Sequence, residues 1–584
     1  MLGKRSDQRG LFEADHLYLD FVGRESFYGF LASQRGKLFR DEDFAKLYCL
    51  DNGCPSVPPS LLANALLLQT YDRVSDEEAK ARADFDLRWK VALGTELDSR
   101  PFAKSTLQLF RSQLILNAEV CKVFKKSLAF ARQVGYLKNR KIKAALDTSN
   151  ILGRGAVKDT YNLLADGIVK LVGVLADLHG STPADWANAN NFSRYCTSTS
   201  IKGEAEIDWG DAKARQKFLR GIVADADRLL ETARQTLTTY VPARDEYQQL
   251  TEAAALLSQL LLQDIERQPE GASIKEGVAK DRVVSVHDPE MRHGRKSKSK
   301  LFDGHKAAVA VDTESALITA VAVLAGNAPD NEKALELVEQ TEQNAEVEVE
   351  ETIGDCAFGD GATRQQFADA GRTLVAKVPD RPETAQFPKQ DFQIDLGTMT
   401  CTCPAGETCA TVAARGRKDR EGNDLKAGAF HFDPATCAAC SQRAQCVKAG
   451  PSKGRTVTLH PQEKLLQEAR AFQESEAFAP YRAERQVVEH RIARLMQLGM
   501  RQARYFGRTK TLFQLLMAAT VANLTLVATK VGLMRAKGSK RVHLLAHLSS
   551  RLVGFMVVFI VSMSSILRSS PLLLHAEAGS RLGF

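Results

Sequence analysis

The chain has 584 residues, 44% hydrophobic and 26% charged, with a net charge of +8 and a pI near 8.8. That length exceeds one simple core and predicts roughly two to four domains, and the composition is that of an ordinary soluble protein, which excludes fibrous and low-complexity classes. The opening MLGKRSDQRGLFEADH has no apolar signal core and eleven cysteines in such a chain make no disulfide framework, so a cytoplasmic protein with a mild bias toward a polyanionic partner is expected.

Residues 1 to about 135 carry helical signals. VPPSLLANALLLQTY follows a Pro-Pro stop and is rich in Leu and Ala. SDEEAKARADFDLRWKVALG reads as helix, opened by a capping box from Ser75 to Glu78 and closed at Gly94. After a Pro-containing turn, Ser105 is expected to cap a helix with Leu107, Phe110 and Leu114 on one face. Such short helices suit a DNA-reading module or a plain bundle, and the pattern alone favours the bundle.

From about residue 140 the period changes. In KIKAALD, Ile142, Ala144 and Leu146 alternate toward Asp147, as in a strand that ends there. Residues from about 155 to 280 read as helical again, followed by the polar, basic linker HDPEMRHGRKSKSK. HKAAVAV and ALITAVAVLA predict two strands joined by a tight hairpin through Asp312-Thr313-Glu314-Ser315. Asp330 or Asn331 is placed to cap the helix EKALELVEQ, VEVEETIGD predicts a strand ending at Asp355, TRQQFADAG a short helix, and RTLVAKV a further strand. With the helical stretch set aside, the order is strand, hairpin, helix, strand, helix, strand, then a long helix bearing Glu489. This is a mixed α/β layout with carboxylates at strand ends, where ligand sites of open sheets lie. On the long helix Val488, Ile492 and Leu495 should face the core, Glu489 borders that stripe, and Arg485 sits one turn earlier on the same face as Glu489.

Two basic clusters stand out. One is Arg292, Arg295, Lys296, Lys298 and Lys300; the other is Arg485, Arg491, Arg494, Arg501, Arg504, Arg508 and Lys510. Either alone is equally well a solvated face. Six cysteines gather late in the chain. Cys437-x2-Cys440 has the form of a zinc hook that Cys403 and Cys446 could complete, with Cys401, Cys409 and His431 as competing ligands; Cys49, Cys54, Cys121, Cys196 and Cys356 are expected to be ordinary buried residues. The apolar run Leu552 to Leu567 is shorter than the roughly 20 residues of a spanning helix and is interrupted by Ser562, Ser564 and Ser565, so a buried or partner-covered helix is expected and no membrane.

Several segments together resemble the DDE transposases of bacterial insertion sequences, in particular those with a helical N-terminal domain and a cysteine-containing insertion. These are CPSVPPSLLANALLLQTYDRVSDEEAKARADFDLRWKVALG, LDTSNILGRGAVKDTYNLL, SVHDPEMRHGRKSKSKLFDGHKAAVAVD with the later APDN, IGDCAFGDGATR, and RQVVEHRIARLMQLGMRQARYFGRTKTLFQLLMAATVANL. The spacing Arg485-x3-Glu489 agrees with the family's helix signature, whereas Tyr481 lies one residue too far upstream and no Lys follows Glu489 at the usual offset.

The resemblance implies an RNase H-like mixed-sheet catalytic core assembled from residues 136–155, 300–380 and 456–535. A helical DNA-binding domain (1–135), a helical insertion with the basic linker (156–299), a Cys-rich insertion (381–455) and an apolar tail (536–584) complete the expected layout. It implies that Asp147, Asp355 and Glu489 hold two Mg²⁺ or Mn²⁺ ions and cut and join phosphodiester bonds, with Asp360 and Glu484 as nearby rivals. Arg485, Arg491, Arg494, Arg501, Arg295, Lys296 and Lys298 would contact DNA phosphates. Cys403, Cys437, Cys440 and Cys446 would hold a structural Zn²⁺. The implied partners are double-stranded DNA, both terminal inverted repeats and target, bound by a homodimer. An RNase H-like nuclease without strand transfer, or a silent DNA-binding derivative, are the alternatives.

Overall fold

The structure is a computed structural model that describes residues 1–5, 13–49, 52–197, 199–239, 243–297, 299–379, 386–412 and 428–534. The Leu552 to Leu567 run lies outside the described residues. The principal sheet has six strands: β1 (Lys141–Leu152), β2 (Arg292–Arg295), β3 (Leu301–Asp312), β4 (Ile318–Ala325), β5 (Glu348–Ile353) and β6 (Thr373–Val375). β1 lies between β3, to which it is antiparallel, and β5, to which it is parallel; β6 continues parallel beyond β5. β2 and β4 share the far side of β3, each antiparallel to it, at its start and along the rest respectively. A mixed α/β architecture is thus what the chain adopts.

The reason these strands lie at the centre is visible in their composition. Ala307 to Val311 of β3 and Ile318 to Leu324 of β4 are buried without a break, the signature of a sheet covered on both faces. Helix Arg508–Lys530 packs on β4 and on helix Val120–Gln133. Its buried Asn523 accepts from the Ile318 amide at 2.9 Å and donates to the Ile318 carbonyl at 2.8 Å, so an amide side chain completes the backbone bonding of a sheet edge. By length and apolar composition this helix alone among the described residues could cross a membrane, yet 83% of its apolar window is buried inside the protein.

Among the described residues three hydrophobic clusters organise the chain. The largest runs continuously from Phe27 in the N-terminal helices through the sheet to Ala528. The second joins helices Thr160–Leu178, Ala212–Thr239 and Arg244–Asp264. The third is small, with Phe392, Cys401, Phe430, Phe432, Val457 and Leu459 under a five-stranded antiparallel sheet that starts at Gln393 and ends at Leu459.

Several local expectations are corrected. The helix after Ser75 is two helices, Asp76–Phe85 and Leu87–Leu93, because the Asp86 carboxylate caps the second by accepting from the Arg88 amide. Ser75 does accept from the Glu78 amide at 3.1 Å, and Gly94, at φ 61°, ends the pair. Ser105 caps nothing: helix Lys104–Leu116 begins after Ala103 without a side-chain cap. Asp330 and Asn331 do not cap helix Ala334–Ala345, because Lys306 takes the first and Asp360 the second. The helical stretch closes in a hairpin of Ile265–Gln268 and Gly271–Ile274 that its polar sequence did not announce. Cys49, Cys54, Cys121 and Cys356 are exposed, not buried.

Candidate active site

Asp147 lies in the middle of β1, opposite Val309 of β3, not at the strand's end. The strand runs on through Thr148, Ser149 and Asn150 because β3 continues to pair with it as far as Leu152. Asp355 follows β5 by two residues and caps a short 3₁₀ turn. The two aspartates are held alike. Oδ1 of Asp147 accepts from the Thr148 amide at 2.7 Å, and Oδ1 of Asp355 accepts from the Ala357 amide at 2.8 Å. Each carboxylate is therefore fixed by backbone through one oxygen.

Glu489 stands on helix Ala479–Leu495, which packs across β1 and β3. Val488 and Leu495 are buried there. A second attachment was not foreseen: Lys143 of β1 pairs with Glu351 of β5 at 2.9 Å and with Glu484 at 3.5 Å, lies over the Tyr481 ring, and Tyr481 donates to Glu351 at 3.0 Å. After the helix comes a π-turn, Met496–Met500, broken at Gly499 with φ 97°, a conformation glycine adopts freely. The chain then folds back so that the Leu152 amide donates to the Arg501 carbonyl at 2.9 Å and the Ala503 amide to the Leu152 carbonyl at 2.7 Å. Both ends of the helix are thus tied to β1, the strand that carries Asp147.

Arg485 joins the acids. Its guanidinium contacts Glu489 Oε1 at 2.5 Å and Asp147 Oδ2 at 3.8 Å. Burial pushes the Asp147 carboxyl up to about 6, and the nearby charges of Asp355 and Glu489 push the same way, against the Thr148 amide and Arg485. All three acids therefore act on one locus. Among the described residues no group of three His, Cys, Asp or Glu side chains stands ready to hold a metal ion, so the three acids share a field without being drawn together as ligands. The rivals are occupied elsewhere. Asp360 caps helix Gly361–Asp369 and accepts from Asn331 at 2.6 Å, and Glu484 faces Lys143.

The basic residues divide. Arg501, Arg295 and Lys296 are exposed. Arg494 is half-buried and donates to Gln497 at 3.3 Å. Arg491 is a correction: it is 8% exposed, its Nε and Nη2 have no hydrogen-bond partner among the described residues, and burial pushes it down to about 10. The cause is register. Val488, Arg491 and Leu495 follow i, i+3, i+7 and form the buried stripe, leaving Ile492 half-buried at its margin. Lys298 lies outside the described residues.

In the small domain Cys403, Cys437, Cys440 and Cys446 line one cavity of about 30 Å³ with Phe387, Phe432 and Arg455. Burial raises the Cys446 thiol, and the neighbouring Cys437, Cys403 and Cys440 raise it further. Cys401 is fully buried opposite Cys409 on the adjoining strand; burial raises both thiols and the charge of nearby Cys403 raises them further, so they stay competitors. His431 is exposed and meets Thr456.

Comparison with known families gives two matches. Residues 22–113 match the model described as Transposase domain (DUF772), and residues 402–528 match the model described as Transposase DDE domain. The second match contains the four cysteines, Arg485 and Glu489; Asp147 and Asp355 lie outside both. No curated protein and no solved structure matches the chain.

Proposed function

Because the chain belongs with the DDE transposases of insertion sequences, we propose that Asp147, Asp355 and Glu489 form the centre that cleaves DNA at element ends and joins the freed ends to a target. The observation that carries this reading is convergence: a strand, a post-strand turn and a long helix, far apart in sequence, bring three carboxylates into one electrostatic locus. The donor set is all oxygen, which suits hard divalent cations such as Mg²⁺ or Mn²⁺. Such ions, when bound, would activate the attacking hydroxyl and offset charge on the leaving oxygen. The protein's own part is positioning. Backbone amides orient the two aspartates, and the helix clamp at Lys143 and the Gly499 turn set the height of Glu489 above β1. The test is strand transfer by the full-length protein on DNA carrying the element's ends. Joined products support the transposase reading; cleavage without joining favours a nuclease.

DNA phosphate contact is assigned to Arg485 beside the acids, to Arg494 and Arg501 further along the same segment, and to the exposed Arg295 and Lys296 at the end of β2, with element-end recognition in the helical region before β1. Arg295→Ala with Lys296→Ala should weaken DNA binding for all sequences and make the log–log salt slope shallower by roughly 2, the release expected for two lost phosphate contacts. An unchanged slope removes this segment from the interface.

We further propose that the small domain is stapled by zinc through Cys403, Cys437, Cys440 and Cys446, because its core among the described residues is only six residues. Purified protein should contain one zinc per chain, and chelation should open this region to protease before the rest. Protein without zinc that resists protease equally well would rule this out.

A further inference from the structure

We propose that Arg485 is a displaceable counter-charge: it holds Asp147 Oδ2 and Glu489 Oε1 together and competes with a divalent cation for those same oxygens. The inference rests on the reading of the three acids as the metal-binding centre and adds a role for a residue between them.

The geometry carries it. Each aspartate spends Oδ1 on a backbone amide, so Oδ2 is the oxygen of Asp147 free to meet a cation, and Arg485 meets that oxygen. The same guanidinium holds Oε1 of Glu489 at 2.5 Å. Arg485 therefore contacts both of the carboxylates that, with Asp355, would hold the ion. Three like charges gathered on one partly buried locus repel, and a cation among them lowers that cost. The ion pair is also easily given up. The side chains of Arg485 and Glu489 are 29% and 50% exposed, so solvent screens the contact.

A purely architectural role for Arg485 does not fit the surrounding contacts. The helix is already attached to β1 by Lys143 with Glu484 and Glu351, by Tyr481, and by Val488 and Leu495 in the core. None of these passes through Arg485. With these oxygens given over to a divalent cation, the Arg485 guanidinium would be free beside them, at hand for a phosphate on the bound DNA, where its planar donors are well matched.

The experiment is Mn²⁺ binding to the full-length protein without DNA, by electron paramagnetic resonance of the free ion. Arg485→Gln should bind Mn²⁺ roughly two- to fivefold tighter than the parent, the effect of removing a partly exposed ion pair that competes with the metal. Arg485→Lys, which keeps the charge, should return affinity toward the parent value. Asp147→Asn and Glu489→Gln should both weaken binding. If Arg485→Gln leaves Mn²⁺ affinity unchanged or weakens it while the two acid variants lose it, the counter-charge role is wrong and Arg485 orients Glu489 instead. If the acid variants bind Mn²⁺ as the parent does, the metal-centre reading falls and this inference falls with it. Circular dichroism of each variant verifies that the fold is intact.

Discussion

Asparagine in place of Asp147 should give a protein that cleaves no DNA, still binds it, and is more stable than its parent at neutral pH. The loss of cleavage follows from removing a charge that the proposed chemistry needs, while the DNA-facing cations are untouched. The gain in stability follows from burial. The Asp147 carboxyl, only 20% exposed, is pushed up from 3.8 to about 6, so the folded chain holds that charge less readily than the unfolded one. The penalty is fully present above about pH 6, shrinks as pH falls toward the unfolded value, and is absent below it. Asparagine can still accept from the Thr148 amide, so the gain at pH 7.5 should be about 1–3 kcal/mol. Thermal unfolding in chelator at pH 7.5 and pH 4 reads it directly. An equal gain at both pH values, or none at pH 7.5, would contradict the burial argument. Retained cleavage would remove Asp147 from the centre altogether.

Much of this site was legible in the sequence, and the parts that were not share a cause. The strand run ahead of Asp147, the strand before Asp355 and the pairing of Arg485 with Glu489 all depend on local period, which sequence displays. What sequence misjudged depended on the partner surface. β1 continues past Asp147 because β3 keeps pairing with it, and nothing in TSNIL announces that. The buried stripe of the Glu489 helix takes in Arg491, a residue that composition assigns to solvent, because the stripe is set by what lies beneath Val488 and Leu495. Lys143 looks like an ordinary strand-flanking cation, yet it clamps the helix through Glu351 and Glu484, residues over two hundred positions away in one case and more than three hundred in the other. The small Cys-rich domain was recognisable by cysteine density, and its five-stranded sheet was not, since its strands are short and polar.

The second large effect should come from a residue remote from the chemistry. Asp76, at the start of its helix, accepts from Arg111 Nη2 at 2.6 Å, Gln69 at 2.7 Å, Gln108 at 3.0 Å and Arg504 Nη2 at 3.2 Å. Burial opposes its charge, yet the hydrogen bonds from Arg111 and Gln69 and the Arg111 charge outweigh that and hold the carboxyl well below the usual carboxylate range. Arg504 also donates to the Val74 carbonyl at 2.8 Å, and the Tyr505 ring lies under both guanidiniums. One carboxylate thus ties the N-terminal helices to the segment that follows Glu489. Asp76→Ala leaves Arg111, 8% exposed, without its charge partner, and a loss of about 3–5 kcal/mol is expected. Arg504→Ala removes a partly exposed contact and should cost about 1 kcal/mol or less, most of which should vanish in an Asp76→Ala background. Stability from this carboxylate is present above its unfolded value near 4 and is lost as pH falls through the depressed folded value. Hydrogen exchange should quicken first in residues 496–504 of Asp76→Ala, because that turn is where the network meets the sheet. Cleavage should then fall although no residue of the acidic centre has changed, since the same turn fixes Glu489 over β1. Unaltered exchange in that turn, with unaltered stability, would mean that the N-terminal helices and the helix bearing Glu489 are coupled by apolar packing alone.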